Sequence, residues 1–209
     1  MILEGIVTTV NADGTVNIAP MGPLVDDEIT HLTLRPFQTS TTFQNLMRTR
    51  QGVFHVTDDV ELLAHAAIDR IDRMPPLVRA ERVEGWILAD SCRWFAFEVR
   101  DADIREARSR MEADVVDHGH LREFFGFNRA KHAVVEAAIL ATRVHLLEGV
   151  DLLNELARLV VMVEKTGGDQ ERRAFDFLSQ YIRSSISAAS AAKSTSAAQQ
   201  TTPRVGSAP

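Results

Sequence analysis

The chain has 209 residues, 45% of them hydrophobic, and a formal net charge of −6. That is enough apolar material for one sizeable core, or for one domain with an appendage, and it excludes disorder of the whole chain. Acidic and basic residues are interspersed, so no basic stripe is present to track a phosphate backbone, and nucleic acid is set aside.

Met1 leads straight into a strand-like run containing Glu4 and Gly5, with no basic n-region and no long apolar segment. We expect neither a signal peptide nor a membrane span, and the cytoplasm is the default compartment. Residues 2–10 read as a strand, and Asn11-Ala12-Asp13-Gly14 as a turn whose glycine can take positive φ. Residues 15–19 return antiparallel and run into the Pro/Gly-rich corner Pro20-Met21-Gly22-Pro23. Past the acidic Asp26-Asp27-Glu28 loop, residues 29–34 alternate like a half-buried strand, which Arg35-Pro36 ends.

The hydroxyl run Thr39-Ser40-Thr41-Thr42 precedes Phe43, Leu46 and Met47, an apolar set at helical spacing, so a short helix should carry the hydroxyls in its first turn. Residues 52–56 read as a buried strand. Asp58 is expected to cap a second short helix reaching about Ile68, and Met74-Pro75-Pro76 opens an extended loop. Residues 85–116 hold two or three further strands. About six short strands with helices between them favour an α+β fold built on a compact antiparallel barrel over a doubly wound sheet.

From Asn128 the composition turns helical, and Gly149 and Gly167-Gly168 divide residues 128–186 into three helices, each begun by an Asn or Asp cap. Beyond Ser187 the Ala, Ser, Thr and Gln run has no apolar period and is expected to stay disordered. The expected division is therefore a barrel over 1–126, a helical segment packed on it over 127–186, and a tail over 187–209.

The hydroxyl run is the first candidate for chemistry. A helix N-terminus offers unpaired N–H groups and a positive dipole end, and four hydroxyl residues are more than one cap needs. With Arg35 just upstream, a monophosphate cradle and a simple N-cap beside exposed threonines stand as the two readings. The corner from Asn17 to Gly22 offers backbone donors and acceptors, with Met21 to lie against a flat ring; the plain reading is a turn. A third cluster, Asn128, Arg129, Lys131 and His132, places positive charge in a helix's first turn, against the macrodipole. Either a bound anion or an acidic residue such as Glu123 must compensate it.

His118-Gly119-His120 lacks a third ligand and reads as loop histidines, so no metal is assigned. Cys92, the single cysteine, reads as a small buried residue, and no Ser/His/Asp set or Cys/His zinc grouping stands out.

The opening residues 1–9, the corner Asn17-Ile18-Ala19-Pro20-Met21-Gly22-Pro23 and the stretch 126–138 (Gly126-Phe127-Asn128-Arg129-Ala130-Lys131-His132 and onward) resemble the domain-of-unknown-function 447 family, within the FMN-binding split-barrel superfamily. The likeness covers residues 1–186. It implies a six-stranded antiparallel Greek-key split barrel, a homodimer, and FMN near the subunit interface. Carried over, Asn17, Ala19, Pro20, Met21 and Gly22 would meet the isoalloxazine, and Arg35, Ser40, Thr41 and Thr42 the phosphate, with Asn45 one turn further on. Many split-barrel flavoproteins hold the phosphate with a lysine after the third strand; Arg35-Pro36-Phe37-Gln38 has none, though a guanidinium grips phosphate bidentately.

The resemblance therefore implies an FMN-dependent oxidoreductase, moving hydride or electrons between a nicotinamide- or deazaflavin-type donor and a small acceptor, pterin-type acceptors included. Because a flavin supplies its own redox chemistry, the lack of a triad is expected. The contrasting reading is a non-catalytic flavin-binding or ligand-sensing homodimer; a third keeps the barrel without flavin.

Overall fold

The computed structural model describes residues 1–200, and side chains through residue 191. Its elements in order are β1 (Gly5–Val10), β2 (Val16–Met21), β3 (Leu24–Val25), β4 (His31–Leu34), α1 (Thr41–Thr49), β5 (Gln51–Val56), α2 (Val60–Ala67), β6 (Leu77–Arg79), β7 (Trp86–Leu88), β8 (Arg93–Asp103), β9 (Arg110–His120), α3 (Arg129–Ala141), α4 (Gly149–Thr166) and α5 (Asp169–Gln200).

One antiparallel sheet runs in the order β2-β1-β5-β8-β9-β4-β3, and β6 and β7 form a separate ribbon. The two ends of the large sheet meet through the first residues of the chain. The Met1 amino group donates to the Val25 carbonyl at 3.0 Å, the Val25 N–H to Met1, and the Leu3 N–H to Pro23. Since residues 1–3 continue into β1, the sheet curls into a barrel. The α+β antiparallel barrel expected from the sequence is what forms. Its sheet has seven strands rather than six, because Leu24 and Val25 pair with Thr33 and Leu32 as a two-residue strand too short to show periodicity.

β1 is buried on both faces, and the two faces serve different cores. Val7 joins Leu32, Leu46, Phe54, Phe95, Phe97 and Met111 inside the barrel. Ile6 and Ile18 point the other way, into a core shared with α2, α3, α4 and α5. Alanines at 130, 133, 137, 138 and 141 line the buried face of α3, and small side chains allow its neighbours to approach closely.

His55 fixes part of this junction. Its ring is fully buried, with Nδ1 3.2 Å from the Ile6 carbonyl and Nε2 accepting the Leu88 N–H at 3.1 Å. That pattern requires the neutral tautomer with the proton on Nδ1. Burial pushes its pKa down to about 4, against the upward pull of the Ile6 carbonyl.

Several boundaries differ from the sequence reading. β2 does not stop at Ala19 but runs to Met21, because it is an outermost strand, where Pro20 breaks no ladder bond. Asp59, not Asp58, caps α2, its carboxylate accepting the Leu62 N–H at 3.0 Å. The Glu148 side chain makes no capping bond to α4, so the expected Asn or Asp cap is missing there. Helix α5 continues to Gln200 where disorder was expected from Ser187; alanine is the strongest helix former, and extending a helix already nucleated costs far less than starting one. The rest of the expected tail, 201–209, lies outside the described residues.

Candidate functional site

α1 begins as its sequence predicts. Ser40 is the N-cap, its Oγ accepting the Phe43 N–H at 3.2 Å and donating to the Phe37 carbonyl at 2.7 Å. The Thr41 and Thr42 N–H groups have no acceptor among the described residues, leaving two donors at the positive end of the helix. Thr41 is exposed and Thr42 buried.

Thr42 ties the helix to the corner strand. The Asn17 side-chain amide donates to Thr42 Oγ1 at 3.0 Å and to Thr9 Oγ1 at 3.2 Å, and the Asn45 amide donates to Thr9 Oγ1 at 3.0 Å and Asn11 Oδ1 at 2.8 Å. The α1 hydroxyls and the corner therefore share one amide–hydroxyl network centred on Thr9. An open cavity of about 430 Å³ adjoins it, between the β1–β2 turn and α1, with Thr41, Asn45 and Arg48 on its wall.

β2 presents a free edge here. Asn11 donates to Thr15 and Leu3 to Pro23, which fixes the hydrogen-bonded pairs of the β1–β2 ladder on the odd residues Asn17, Ala19 and Met21. Val16 and Ile18 then aim their N–H and C=O groups away from β1, as Pro20 does its C=O. Asn17, Ala19 and Met21 share the sheet face that α1 covers, and all three are half-buried.

Arg35 follows β4. The β3–β4 register pairs Leu24 with Thr33, so two residues further on Gly22 stands across from Arg35. Gly22 leaves no room for a side chain: a Cβ would lie 2.8 Å from Ile2 and 2.9 Å from the Glu4 carboxylate. Arg35 Nε is buried without a hydrogen-bond partner. The loop after Arg35 is fastened to the β8–β9 hairpin, with the Gln38 N–H on the Ala107 carbonyl and Ser109 Oγ and N–H both on the Pro36 carbonyl.

The third cluster is occupied elsewhere. Asn128 Oδ1 caps α3 through the Ala130 and Lys131 N–H groups, and its Nδ2 donates to the Thr166 carbonyl at the end of α4. Lys131 Nζ pairs with Glu171 at 2.8 Å and donates to the Asp58 carbonyl and Gln170. Burial alone would raise the Glu171 pKa, but Lys131 and the Gly168 N–H outweigh it and hold the carboxyl below its usual range. The compensating acid is thus Glu171, not Glu123, which sits against His120. Arg129 is exposed, and His132 lies edge-on to Phe127. No hydrogen bond or ion pair among the described residues joins these four to Asn17, Arg35 or α1.

Asp58, expected as a cap, instead accepts from Arg122 at 2.5 Å and from the Phe125 N–H at 2.9 Å. Burial opposes its ionisation, yet these donors keep its pKa low. Cys92 is buried, and burial pushes its thiol up, against a nucleophilic role. Among the described residues no group of three or more His, Cys, Asp or Glu is placed to hold a metal, and no helix is long and apolar enough to cross a membrane.

An antiparallel barrel with a polar corner on its free edge, bonded to the start of a short helix, defines the class as a split barrel. The chain belongs to the DUF447 family of proteins of unknown function, matching its N-terminal domain over residues 3–122 and its further domain over 128–180. Among solved structures it is similar to an FMN-bound DUF447 protein from Methanosarcina mazei, at 22% identity and TM-score 0.74, covering 86% of this chain and 94% of that one. It is also similar to the flavin reductase HpaC complexed with NADP+, at 16% identity and TM-score 0.51, covering 60% of this chain and 83% of that one. Curated proteins include no match.

Sequence reasoning missed Thr9 and Asn11, the hub and far end of the network. Only the packing of α1 against β1 brings them to the helix. Thr9 lies two residues from Val7 and so on the same face of β1, and that period was the available signal.

Proposed function

We propose that this chain binds FMN at the corner and acts as a flavin-dependent oxidoreductase. The observation that carries the reading is the Asn17–Thr42 bond, which holds a half-buried strand edge and a helix N-terminus side by side. The residues fit the ligand in kind. The orphaned Arg35 Nε and the free Thr41 and Thr42 N–H groups, held in place by the Ser40 cap, suit a monophosphate, and Asn17, Ala19, Pro20, Met21 and Gly22 suit a flat heterocycle. The family likeness to an FMN-bound protein supports the same choice.

Bound FMN would supply the hydride or electron transfer. This chain's part is to orient the ring and to favour negative charge on it. The outward N–H groups of Val16 and Ile18 are donors suited to that role. Asn45 holds Thr9 and Asn11 in place, one turn behind the phosphate-facing donors. Asn128 and Lys131 serve the helical segment instead, and we leave them out of the cofactor set.

A homodimer belongs to the same reading. Phe124, Phe125 and Phe127 are 45%, 79% and 96% exposed on a loop pinned by Asp58, an aromatic patch of the kind that subunit contacts cover.

Spectral titration of the purified protein with FMN tests the proposal. Saturable binding is expected, followed by anaerobic bleaching with NADH, NADPH or reduced deazaflavin. Failure to take up FMN would overturn it, and binding without bleaching by any donor would leave the non-catalytic flavin-binding role.

A further inference from the structure

A second arginine stands beside Arg35. Arg108, on the turn between β8 and β9, donates from Nε to the Arg35 carbonyl at 3.0 Å, pairs with Phe37 through an antiparallel bridge, and lies with its guanidinium 5.5 Å from that residue's ring centroid. Stacking and the Nε bond fix the plane of the group and leave its two terminal nitrogens without a hydrogen-bond partner among the described residues. The Arg35 Nε next to it is buried and equally without an acceptor. Neither residue makes an ion pair among the described residues.

Partial burial, then the charges of Arg35 and of Arg143 after α3, lower the Arg108 pKa, while Glu4 works in the opposite sense. Three guanidiniums and one carboxylate leave a net positive site. A phosphate monoester, carrying roughly −1.5 to −2 at neutral pH, matches that excess and offers planar bidentate acceptors to each fork.

We propose that Arg35 and Arg108 form a paired-guanidinium seat for a phosphate monoester, with Arg143 adding its charge from the helical segment. This rests on the flavin reading, in which the monoester is the FMN phosphate, and it fills the place of the lysine missing after β4. Glu4, beside Gly22, sets the limit of the positive region on the side where the ring would lie.

The test compares FMN and riboflavin binding to the wild type, Arg108→Ala and Arg108→Lys. The alanine variant should weaken FMN by about 10- to 100-fold, as for loss of a charge-assisted partner, and change riboflavin little. The lysine variant should recover part of the loss. Equal loss of both ligands, or no loss of either, would overturn the seat. Circular dichroism checks that each variant folds, and the lysine variant keeps the test open if alanine does not. Should the wild type bind neither flavin, the FMN reading falls by itself. Inorganic phosphate then decides the seat, which stands if phosphate raises the melting temperature of the wild type and not of Arg108→Ala, and falls otherwise.

Discussion

Asn17 in β2 donates a 3.0 Å hydrogen bond to Thr42 Oγ1 in α1, across 25 residues of sequence. Thr42 is 3% exposed, so the bond forms where an unmet amide or hydroxyl is costly. A double-mutant cycle with Asn17→Ala and Thr42→Val should show a coupling of about 0.5–1.5 kcal/mol in urea unfolding. A coupling near zero would mean that the corner and the helix are positioned independently.

Lys131 and Glu171 keep only 13% and 9% of their side chains exposed, and each is the other's counter-charge. Lys131→Met should cost roughly 2–4 kcal/mol by stranding the carboxylate, somewhat less than for a fully buried pair because some exposure remains. Flavin affinity should not change. A fall in FMN affinity without loss of stability would return this cluster to the ligand site.

What could be read from the sequence follows how local each feature is. Ser40 announces its helix because a cap, its N–H targets and the apolar period lie within one turn. The Lys131 cluster announced only an unmet charge, since its partner is 40 residues away on another helix. Pro20 looked like a strand end, and only the sheet order shows that it sits on an edge where proline is harmless. Asp58 and Asp59 are equivalent by sequence; Arg122, from beyond β9, takes Asp58 and leaves the cap to its neighbour. Arg108 had no local signal at all, because its relation to Arg35 spans 73 residues.

His55 should make stability fall on mild acidification. Its folded pKa of about 4 lies below its ordinary value of 6.5, so between those values the unfolded chain binds more protons. Stability is complete above pH 6.5 and falls towards pH 4, by up to about 3 kcal/mol for a shift of this size. Urea midpoints measured from pH 7 to 4.5 should decline, and His55→Gln, itself less stable, should flatten the decline. An unchanged slope in the variant would assign it to other groups.

Arg50 closes α1 at φ 58°, in the left-handed region, with its N–H on the Leu46 carbonyl. The side chain is exposed, so only backbone strain distinguishes it from glycine. Arg50→Gly should raise stability by ~0.5–1 kcal/mol, visible as a higher melting temperature. A lower one would show that the arginine makes a favourable contact.

Thr41 permits a test of the helix N-terminus that leaves the capping bonds intact. It is the first residue of α1, where proline is well tolerated, and Ser40 before it has φ −80° and ψ 148°, an extended conformation that a following proline accepts. Thr41→Pro therefore deletes one free N–H and one exposed hydroxyl while keeping the Ser40 cap and the Asn17–Thr42 bond. Replacing the hydroxyls is less clean, because Ser40→Ala loses the cap, at a cost of about 1 kcal/mol, and Thr42→Ala strands the Asn17 amide. The proline variant should melt within a few degrees of the wild type and bind riboflavin equally well. It should bind FMN about tenfold more weakly, the loss of one charge-assisted hydrogen bond together with the hydroxyl beside it. Unchanged FMN affinity would place the phosphate away from α1, on the arginines alone.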